Sequence, residues 1–396
     1  MRRVGTTVRG IRTPIIKEND DLATIVVDSL MAASEEENFA FRDRDVIGIT
    51  EAVVGISEGN YVTVDDVAVD IQKKFPDGHI GLLFPTPVSR NRFAPYLKGI
   101  ARGAKKITMQ LSFPDDELGN KLFPEDLLYE HGISHHDVLS EADYDKFFKG
   151  TKHIFTGIDY LEYFRELIEA EDCEIDFIFA NDAREILKHA RDVLVSNVHR
   201  RERNKKILED AGASTVYTLD EIMNASINGS GFNPKYGLLG SNRATDERIK
   251  LFPKGGQAIV EKIQILLRKK TGKKIEVMVY GDGAFKDPVG GIWELADPVV
   301  SPAYTSGLEG TPSELKLKYV SDSKFADLRG KKLEKAIKDE IRAKGTDLVG
   351  ENISLGTTPR RFTDLIGSLC DLTSGSGDKG TPVVYISGYF DSLADD

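Results

Sequence analysis

The sequence predicts an α/β protein of more than one domain. Between about residues 70 and 235, short apolar segments such as "HIGLLFPTPV" alternate with charged helical segments such as "FAPYLKGIARGA". That alternation is typical of an α/β unit with a largely parallel sheet. A chain of 396 residues is also too long for one ordinary core. We therefore expect two domains, with an α/β unit over about residues 70–235.

The first block is predicted to contain a helix and a strand. In "KENDDLATIVVDSLMAA", Asp20 or Asp21 can cap a helix whose apolar residues, including Leu22, Val26 and Leu30, share one face. The following "DRDVIGITEAVVGI" is predicted as one buried strand that enters the turn "SEGNYV".

The two later blocks carry further strands and helices. In the middle block we predict the strands "KKITMQLSF", "KHIFTGI", "EIDFIFA" and "DVLVSNV", and the helices "YLEYFRELIEAEDC", "DAREILKHARD" and "HRRERNKKILEDAG". In the last block "GGQAIVEKIQILLRKKTG" is a helix ended by Gly272, and the strand "KIEVMVY" follows it directly. The helix "KKLEKAIKDEIRAKG" and a glycine-rich segment that leads into a final strand complete the chain.

Composition excludes several classes of function. A net charge of −11 argues against a sequence-independent grip on DNA or RNA, which needs a basic face. No window approaches the apolar length of a membrane span. Cys173 and Cys370 are the two cysteines; they have no metal-ligand spacing and suit a reducing compartment. We expect a cytoplasmic protein without nucleic-acid or membrane partners.

Asp282 is the first candidate for chemistry. It follows a buried strand in "YGDGAF", and ligands of open α/β sheets gather at the carboxyl ends of strands. Its neighbouring glycines allow a ligand or another backbone segment to approach closely. A carboxylate here can hold Mg²⁺ or Mn²⁺. The alternative is a turn aspartate that caps its own backbone.

Three other segments are candidate anion sites. "TSGSGDKGTPVV" can wrap backbone N–H groups around a phosphate, although it lacks the ending of a Walker motif. The pair Arg360 and Arg361 suits forked hydrogen bonds to a carboxylate or phosphate. Ser89, Arg90 and Arg92 can meet an anion at a helix start. For each segment a solvated surface is the alternative.

The histidines of "HGISHHD", His131, His135 and His136, raise the question of zinc binding. Their spacing matches no common zinc site, and the segment is predicted to be a polar loop.

Several segments, in this order, resemble the coenzyme F(420)-0:gamma-glutamyl ligase family, of which this chain looks like a long variant. They are "GIRTPIIKENDDLA", "DRDVIGITEAVVGISEGNYV", "GLLGSN", "YGDGAF" and "SGSGDKGTPVVYISGY". The resemblance implies an amide ligase that uses GTP and a divalent metal, a mixed α/β fold and a homodimer. Its substrates are small molecules: a nucleotide, glutamate or a similar amino acid, and a carboxylate acceptor. Because residues 71–234 lie largely outside the resemblance, it also implies a family-like core formed by residues 1–70 and 235–396, with an inserted α/β domain at 71–234.

The resemblance also implies roles for particular residues. It makes Asp282 a metal ligand and catalytic residue, and Asn242 a catalytic residue. It assigns nucleotide or phosphate binding to Thr13, Pro14, Ile15, Ile16, Thr50, Ser241, Ser374, Gly375, Ser376, Gly377, Asp378, Lys379, Gly380 and Thr381. Binding of the acidic substrate by Arg360 and Arg361 is our own inference from their charge.

The chain departs from the family pattern at charged positions. Leu239 stands where the family has aspartate, Ser57 where it has lysine, and Ser376 where it has a metal-binding glutamine. Glu51 and Ala52 stand in the family's Thr-Ser-Lys region. Either the inserted residues supply substitutes, with Arg90, Arg92 and His199 as candidates, or the activity has changed. The alternatives are a ligase for a folate, pterin or other carboxylate, and a non-catalytic relative that binds a nucleotide or cofactor.

Overall fold

A computed structural model describes residues 3–84, 90–119, 121–153, 157–283, 297–345, 347–348, 350–354, 360–374 and 377–395, without the side chains of residues 90 and 91. The strands are β1 (Thr7–Ile11), β2 (Val46–Thr50), β3 (Tyr61–Thr63), β4 (His79–Phe84), β5 (Lys106–Leu111), β6 (Leu139–Ser140), β7 (Glu174–Phe179), β8 (Asp192–Val195), β9 (Thr215–Thr218), β10 (Asn242–Arg243), β11 (Arg248–Lys250), β12 (Glu276–Tyr280), β13 (Ala303–Tyr304) and β14 (Val383–Ser387).

Helices and strands together confirm the predicted α/β class. The α-helices are α1 (Leu22–Glu36), α2 (Glu51–Ser57), α3 (Val64–Lys74), α4 (Arg90–Gly103), α5 (Asp126–His131), α6 (Glu141–Phe147), α7 (Tyr160–Glu169), α8 (Arg201–Asp210), α9 (Gly256–Thr271), α10 (Leu317–Ser323), α11 (Gly330–Ala343) and α12 (Phe362–Thr373). Short 3-10 helices cover Ala183–Lys188, Leu219–Glu221 and Ser306–Leu308. No helix among the described residues is both long and apolar enough to cross a bilayer.

The first sheet is built from both ends of the chain. Its strand order is β1-β14-β2-β12-β13; β2 and β12 are parallel, and the other neighbours are antiparallel. Apolar side chains of α1 and α9 pack on one face, and those of α12 pack on the other. Because Thr50 and Tyr280 are partners in the register, the carboxyl ends of β2 and β12 meet at one edge.

A second, six-stranded sheet lies within residues 79–218. Its order is β6-β7-β5-β4-β8-β9, and all neighbours except β6 are parallel. Strand β4, the first strand of this sheet in chain order, therefore lies inside the sheet, and the later strands are added on both sides of it. Helices α4 and α7 cover one face, while α8 and the 3-10 helix at Ala183–Lys188 cover the other. This is a doubly wound arrangement.

The second sheet packs against segments from outside the predicted insert. A small sheet, β10-β11-β3, comes from the outer segments. One hydrophobic cluster joins its residues Val62 and Ile249 to Leu97 of α4 and to Leu239. The apolar core thus continues across the predicted boundaries, and α3 (Val64–Lys74) spans one of them, so the division into two domains stays a prediction.

One element prediction is wrong. The strand predicted over "DRDVIGITEAVVGI" ends at Thr50, and α2 begins at Glu51, whose carboxylate turns inward to Lys250. Residues 154–156 of "KHIFTGI" lie outside the described residues, so the strand predicted there stays a prediction. The helix predicted in "DAREILKHARD" is present as a 3-10 helix, capped by Asp182.

Candidate functional site

The candidate site lies where β2 and β12 end. Glu51 follows β2, and Gly281 and Asp282 follow β12 at the same edge of the first sheet. Strand β14 runs antiparallel to β2, so the glycine-rich segment that precedes β14 enters at this edge too. The Thr50 N–H donates to the Pro382 carbonyl at 3.0 Å. We call Glu51, Arg92, Lys250, Asp282 and Asp297 the strand-end site.

Arg92 is the centre of the strand-end site. It comes from α4 of the predicted insert, and its guanidinium forks between two carboxylates. Nη2 donates to Asp282 Oδ1 at 2.6 Å, and Nη1 donates to Asp297 Oδ1. Burial alone lowers the pKa of Arg92, but the charges of Asp297, Asp282 and Glu51 outweigh burial and raise it. Arg92 is therefore a permanent cation held between these two aspartates.

Tight backbone packing fixes the position of Asp282. Its N–H donates to Asp297 Oδ2 at 2.8 Å, and the Gly283 N–H donates to Asp371 Oδ2 at 2.8 Å. A Cβ on Gly281 would collide with the Asp297 carboxylate, and one on Gly283 would lie 2.9 Å from the Ser368 Cα. The two glycines thus let other parts of the chain approach closely, and they place Asp282 in a fixed network.

A second buried ion pair lies beside this network. Lys250 Nζ lies 2.6 Å from Glu51 Oε2, and both side chains are more than nine-tenths buried. Burial raises the pKa of Glu51, and the nearby charge of Lys250 opposes that rise. The strand-end site therefore holds three carboxylates and two cations in a region with little water. Such groups stay charged only through their partners.

Ser241 and Asn242 lie next to this network. Ser241 is 2% exposed, and its Oγ has no hydrogen-bond partner among the described residues. Ser241 lines one small cavity with Arg92, and Asn242 pairs with Lys250 in the β10–β11 register. Leu239 is 2% exposed, belongs to the apolar cluster around α4 and lines the same small cavity as Arg92 and Ser241. The side chain that replaces the family's aspartate is thus part of the core.

The predicted nucleotide-binding segments meet at the same edge. Arg12 Nε donates to the Lys379 carbonyl at 3.3 Å, so residues 13–16 start beside residues 377–381. Ser374 Oγ donates to Thr381 Oγ1 at 2.9 Å. Within residues 13–16, Ile16 is buried and Ile15 is 84% exposed. Gly375 and Ser376 lie outside the described residues, so their predicted contacts stay predictions.

Arg360 and Arg361 lie elsewhere. Both precede α12, and Ser368, the residue of that helix beside Gly283, is seven residues after Arg361, roughly 10 Å along the helix axis. Arg361 is mostly exposed, pairs with Asp364 at 3.1 Å, and lines a separate cleft of about 630 Å³ with Tyr304. The structure does not bring these arginines to the strand-end site, and their substrate role stays a prediction.

Three residues of the predicted insert were expected as substitutes for the missing family residues. Among those whose side chains the structure describes, Arg92 reaches the strand-end site. His199 lies after β8, where its N–H donates to Glu117 Oε1 at 3.1 Å. Ser89 and the side chain of Arg90 are outside the described residues. His131 packs against Phe147, whereas His135 and His136 lie on an exposed loop.

The metal implied by the family resemblance can be tested against the donor set. Asp282 and Asp297 are the carboxylates that flank the strand end, and the Arg92 guanidinium lies between them. Across the parts of the chain that the structure describes, no group of three or more His, Cys, Asp or Glu side chains is placed to hold a metal ion. This arrangement does not fit a divalent cation, because Arg92 already supplies the positive charge.

Three members of the strand-end site, Asp297, Glu51 and Lys250, were not predicted from the sequence as ligands or as ion-pair partners. Asp297 is 15 residues from Asp282, and its "ADPVV" context looks like an ordinary turn. Glu51 was noted only as a departure from the family, and Lys250 has no motif around it. A charged residue within an apolar strand or at its end was the available signal, since burial of a charge requires a partner.

Comparison with protein families identifies the family of this chain. No curated protein matched the chain. The family model described as F420-0:Gamma-glutamyl ligase matches residues 10–388, a span that includes the segment predicted as an insert. Because that match covers nearly the whole chain, the protein belongs to the F420-0:gamma-glutamyl ligase family.

Proposed function

We propose that the protein joins glutamate to a carboxylate acceptor of the coenzyme F(420)-0 type in a GTP-dependent ligase reaction. The observation that carries the proposal is the meeting of two features at one edge of the first sheet. One is the buried network of Asp282, Asp297 and Arg92. The other is the glycine-rich segment before β14, which Arg12 ties to the N-terminal segment.

The proposed reaction has two steps. First, a carboxylate oxygen of the acceptor attacks the γ-phosphorus of GTP, the bond to the β-phosphate oxygen breaks, and GDP leaves. Second, the amino group of glutamate attacks the acyl carbon, a C–N bond forms, phosphate leaves, and the amine loses a proton. Both steps move negative charge between oxygens, so fixed cations and backbone N–H groups contribute most of the catalysis.

The residues take roles that follow from their positions. Gly377 to Thr381 would cradle phosphate through backbone N–H groups, with Thr50 and Thr13 beside them. Arg92 would hold Asp282 in place and offset the charge that develops on the phosphoryl group. Ser241, whose buried Oγ lacks a partner among the described residues, would donate to a substrate or nucleotide oxygen, with Asn242 next to it.

No step is assigned to a metal, because the described donor set does not fit one. A metal role for Asp282, with Mg²⁺ or Mn²⁺, stays a prediction. Isothermal titration with GTP and Mn²⁺ together and separately, on wild type and Asp282→Asn, tests it. Equal affinities in the two proteins would show that Asp282 binds no metal. The homodimer also stays a prediction, and light scattering measures it directly.

The activity itself is tested by incubating the protein with coenzyme F(420)-0, glutamate and GTP, and by measuring GDP release and product mass. We expect Asp282→Asn to lower kcat by about 100-fold, because it removes one of the two carboxylates that orient the Arg92 guanidinium towards the phosphoryl group. Asp210→Asn changes an exposed carboxylate on α8. It is the matched control and should keep full activity. Full activity in Asp282→Asn would contradict the assignment of the site.

A second candidate function is a non-catalytic relative that binds a nucleotide or cofactor. Two observations favour it: Leu239 is part of the core, and Arg92 forms ion pairs with both Asp282 and Asp297. A panel of deazaflavin, pterin and folate carboxylates separates the candidates. Tight GTP binding without GDP release on any of them supports the non-catalytic protein, and turnover on a pterin or folate alone indicates a ligase with a changed acceptor.

A further inference from the structure

The six-stranded sheet contains a large crevice that the proposed ligase reaction does not use. It lies at the carboxyl ends of β4, β5, β7 and β8, on the face covered by α8, and has a volume of about 710 Å³. Ligand sites of small molecules have volumes in this range. Its lining includes Gln110, Glu117, Asn181, Asn197, Arg200 and Arg203. We call it the switch-point crevice.

Its location follows from the order of the strands. Chain connections from β4 run first to β5 and β7 on one side, and the chain then returns to β8 on the other side. Helix α4, which follows β4 in the chain, and helix α8, which follows β8, therefore cover opposite faces of the sheet. Open doubly wound sheets bind ligands in the crevice at such a point. "HIGLLFPTPV" has no glycine fingerprint after β4, so the usual dinucleotide mode does not apply.

The usual phosphate position at this crevice is already filled. The N–H groups of Val198, His199 and Arg200, at the start of α8, donate to the Glu117 carboxylate at 2.6, 3.1 and 2.7 Å. An incoming anion would therefore meet side chains rather than this backbone. The positive charge available to it is that of the arginines.

The first turn of α8 breaks a local rule of helix composition. Acidic residues are favoured at a helix N-terminus and cations are disfavoured. Here the first turn has Arg201 and Arg203 as well as Glu202, and the N-cap is Arg200. Arg201 is compensated, because its Nε lies 3.0 Å from Asp220 Oδ1. Arg200 and Arg203 form no ion pair with any described residue. Such exceptions are expected where a site requires them.

The carboxylates that line the crevice are already engaged. Asp182 accepts from Arg184 Nε at 2.9 Å, Glu185 pairs with Lys188 at 2.5 Å, and Glu117 holds the α8 backbone. Asp137, which also lines the crevice, accepts from the Ser134 N–H at 2.8 Å. Among the described side chains of the lining, Arg200 and Arg203 are arginines without an ion pair, and they are the cations that an incoming anion would meet.

Gln110 supplies an independent observation. Its side chain is 96% buried and lines the crevice, and its Nε2 donates to the carbonyls of Ala180 (3.0 Å) and Asp182 (2.9 Å). These two bonds fix the orientation of the amide, and Oε1 is left without a partner among the described residues. A buried acceptor without a donor is costly. A ligand with an N–H or O–H group would satisfy it.

From these observations, we propose that the switch-point crevice binds a small organic anion of up to mononucleotide size. Its phosphate or carboxylate lies against Arg200 and Arg203, and an N–H or O–H group donates to Gln110 Oε1. This site is distinct from the strand-end site and does not depend on the ligase reaction.

The test is isothermal titration of the full chain with three probes: GMP, inorganic phosphate and L-glutamate. The double variant Arg200→Gln/Arg203→Gln removes the charges, and Arg191→Gln/Lys206→Gln removes two exposed charges of the same unit outside the crevice. We expect at least one probe to bind and to lose about tenfold or more in affinity in the first variant alone. GMP and phosphate responding together indicate a phosphate ligand, whereas glutamate alone indicates a carboxylate ligand.

Asp282→Asn separates this site from the strand-end site. Binding that falls in Asp282→Asn but not in Arg200→Gln/Arg203→Gln belongs to the ligase site and overturns the inference, while the proposed function stands. Binding that is equal in all variants, or no binding of any probe, also overturns it. Hydrogen exchange gives a second readout: the probe should protect backbone amides of residues 197–204 and 135–138.

Discussion

Replacement of Arg92 by methionine is expected to destabilise the protein by about 3–5 kcal/mol, the usual cost of removing one partner from a buried ion pair. The side chain of Asp297 is 1% exposed, and that of Asp282 is 15% exposed. Most of the loss in unfolding free energy should therefore come from the unpaired charge of Asp297, because water can partly solvate Asp282. Methionine has a similar length and flexible shape, so a cavity contributes little.

The arrangement of the charges also predicts the behaviour of related variants. Arg92→Lys keeps one positive charge but cannot fork between two carboxylates, so its cost should lie near about 1–2 kcal/mol. The triple variant Arg92→Met/Asp282→Asn/Asp297→Asn has no uncompensated charge and should recover at least half of the loss, because a buried ion pair as a whole contributes little net stability.

Urea unfolding followed by circular dichroism measures these differences through the transition midpoint and slope. Arg268→Met, an exposed arginine in the last turn of α9, is the matched control and should change stability by less than about 0.5 kcal/mol. The reasoning is refuted if Arg92→Met unfolds at the wild-type midpoint. It is also refuted if the triple variant is no more stable than Arg92→Met.

Three further predictions concern other charged or reactive groups. Glu51→Gln should cost about 3 kcal/mol because it leaves Lys250 buried without a partner, and Glu51→Gln/Lys250→Met should cost clearly less in the same urea assay. Hydrogen bonds from Arg102 lower the pKa of Glu247 from 4.5 to about 2. Because Glu247 is half exposed, its ion pair should contribute less than about 1 kcal/mol to the free energy of unfolding above pH 4.5. This contribution is lost as the pH falls towards 2. The unfolding free energies of Glu247→Gln and wild type should therefore differ at pH 6 and agree near pH 2. Burial raises the pKa of the Cys173 thiol to about 12, so iodoacetamide at pH 8 should label it at least about 100-fold more slowly in folded than in urea-unfolded protein, as mass spectrometry measures.

Local patterns were enough to predict the elements that support the site. The apolar stripe and Gly272 predicted α9, and the short apolar run after it predicted β12, because both depend on neighbouring residues. Because that strand was predicted to end at Tyr280, Asp282 was predicted to lie at the sheet edge where ligands of open α/β sheets bind. The end of β2 was misplaced, since nothing local shows that Glu51 turns inward to a lysine 199 residues away.

The contacts of the strand-end site could not be predicted from the sequence, because they are set by the tertiary fold. Arg92 is 190 residues from Asp282 and 205 from Asp297. Its own surroundings predict only a helix start near an anion. The family resemblance pointed to a missing charge and named Arg92 as one of three substitutes. Which one reaches Asp282 depends on how α4 packs.

The position of Leu239 leads to a final prediction about the missing family aspartate. Leu239 is buried in the cluster that includes Leu97 of α4, and the same helix brings Arg92 to Asp282. Leu239→Asp should therefore fail to restore a metal ligand and should cost more than about 4 kcal/mol, through lost packing and a buried charge. Leu239→Met, the control, should cost less than about 1.5 kcal/mol. Wild-type stability in Leu239→Asp together with new Mn²⁺ binding by titration would instead place residue 239 at the strand-end site.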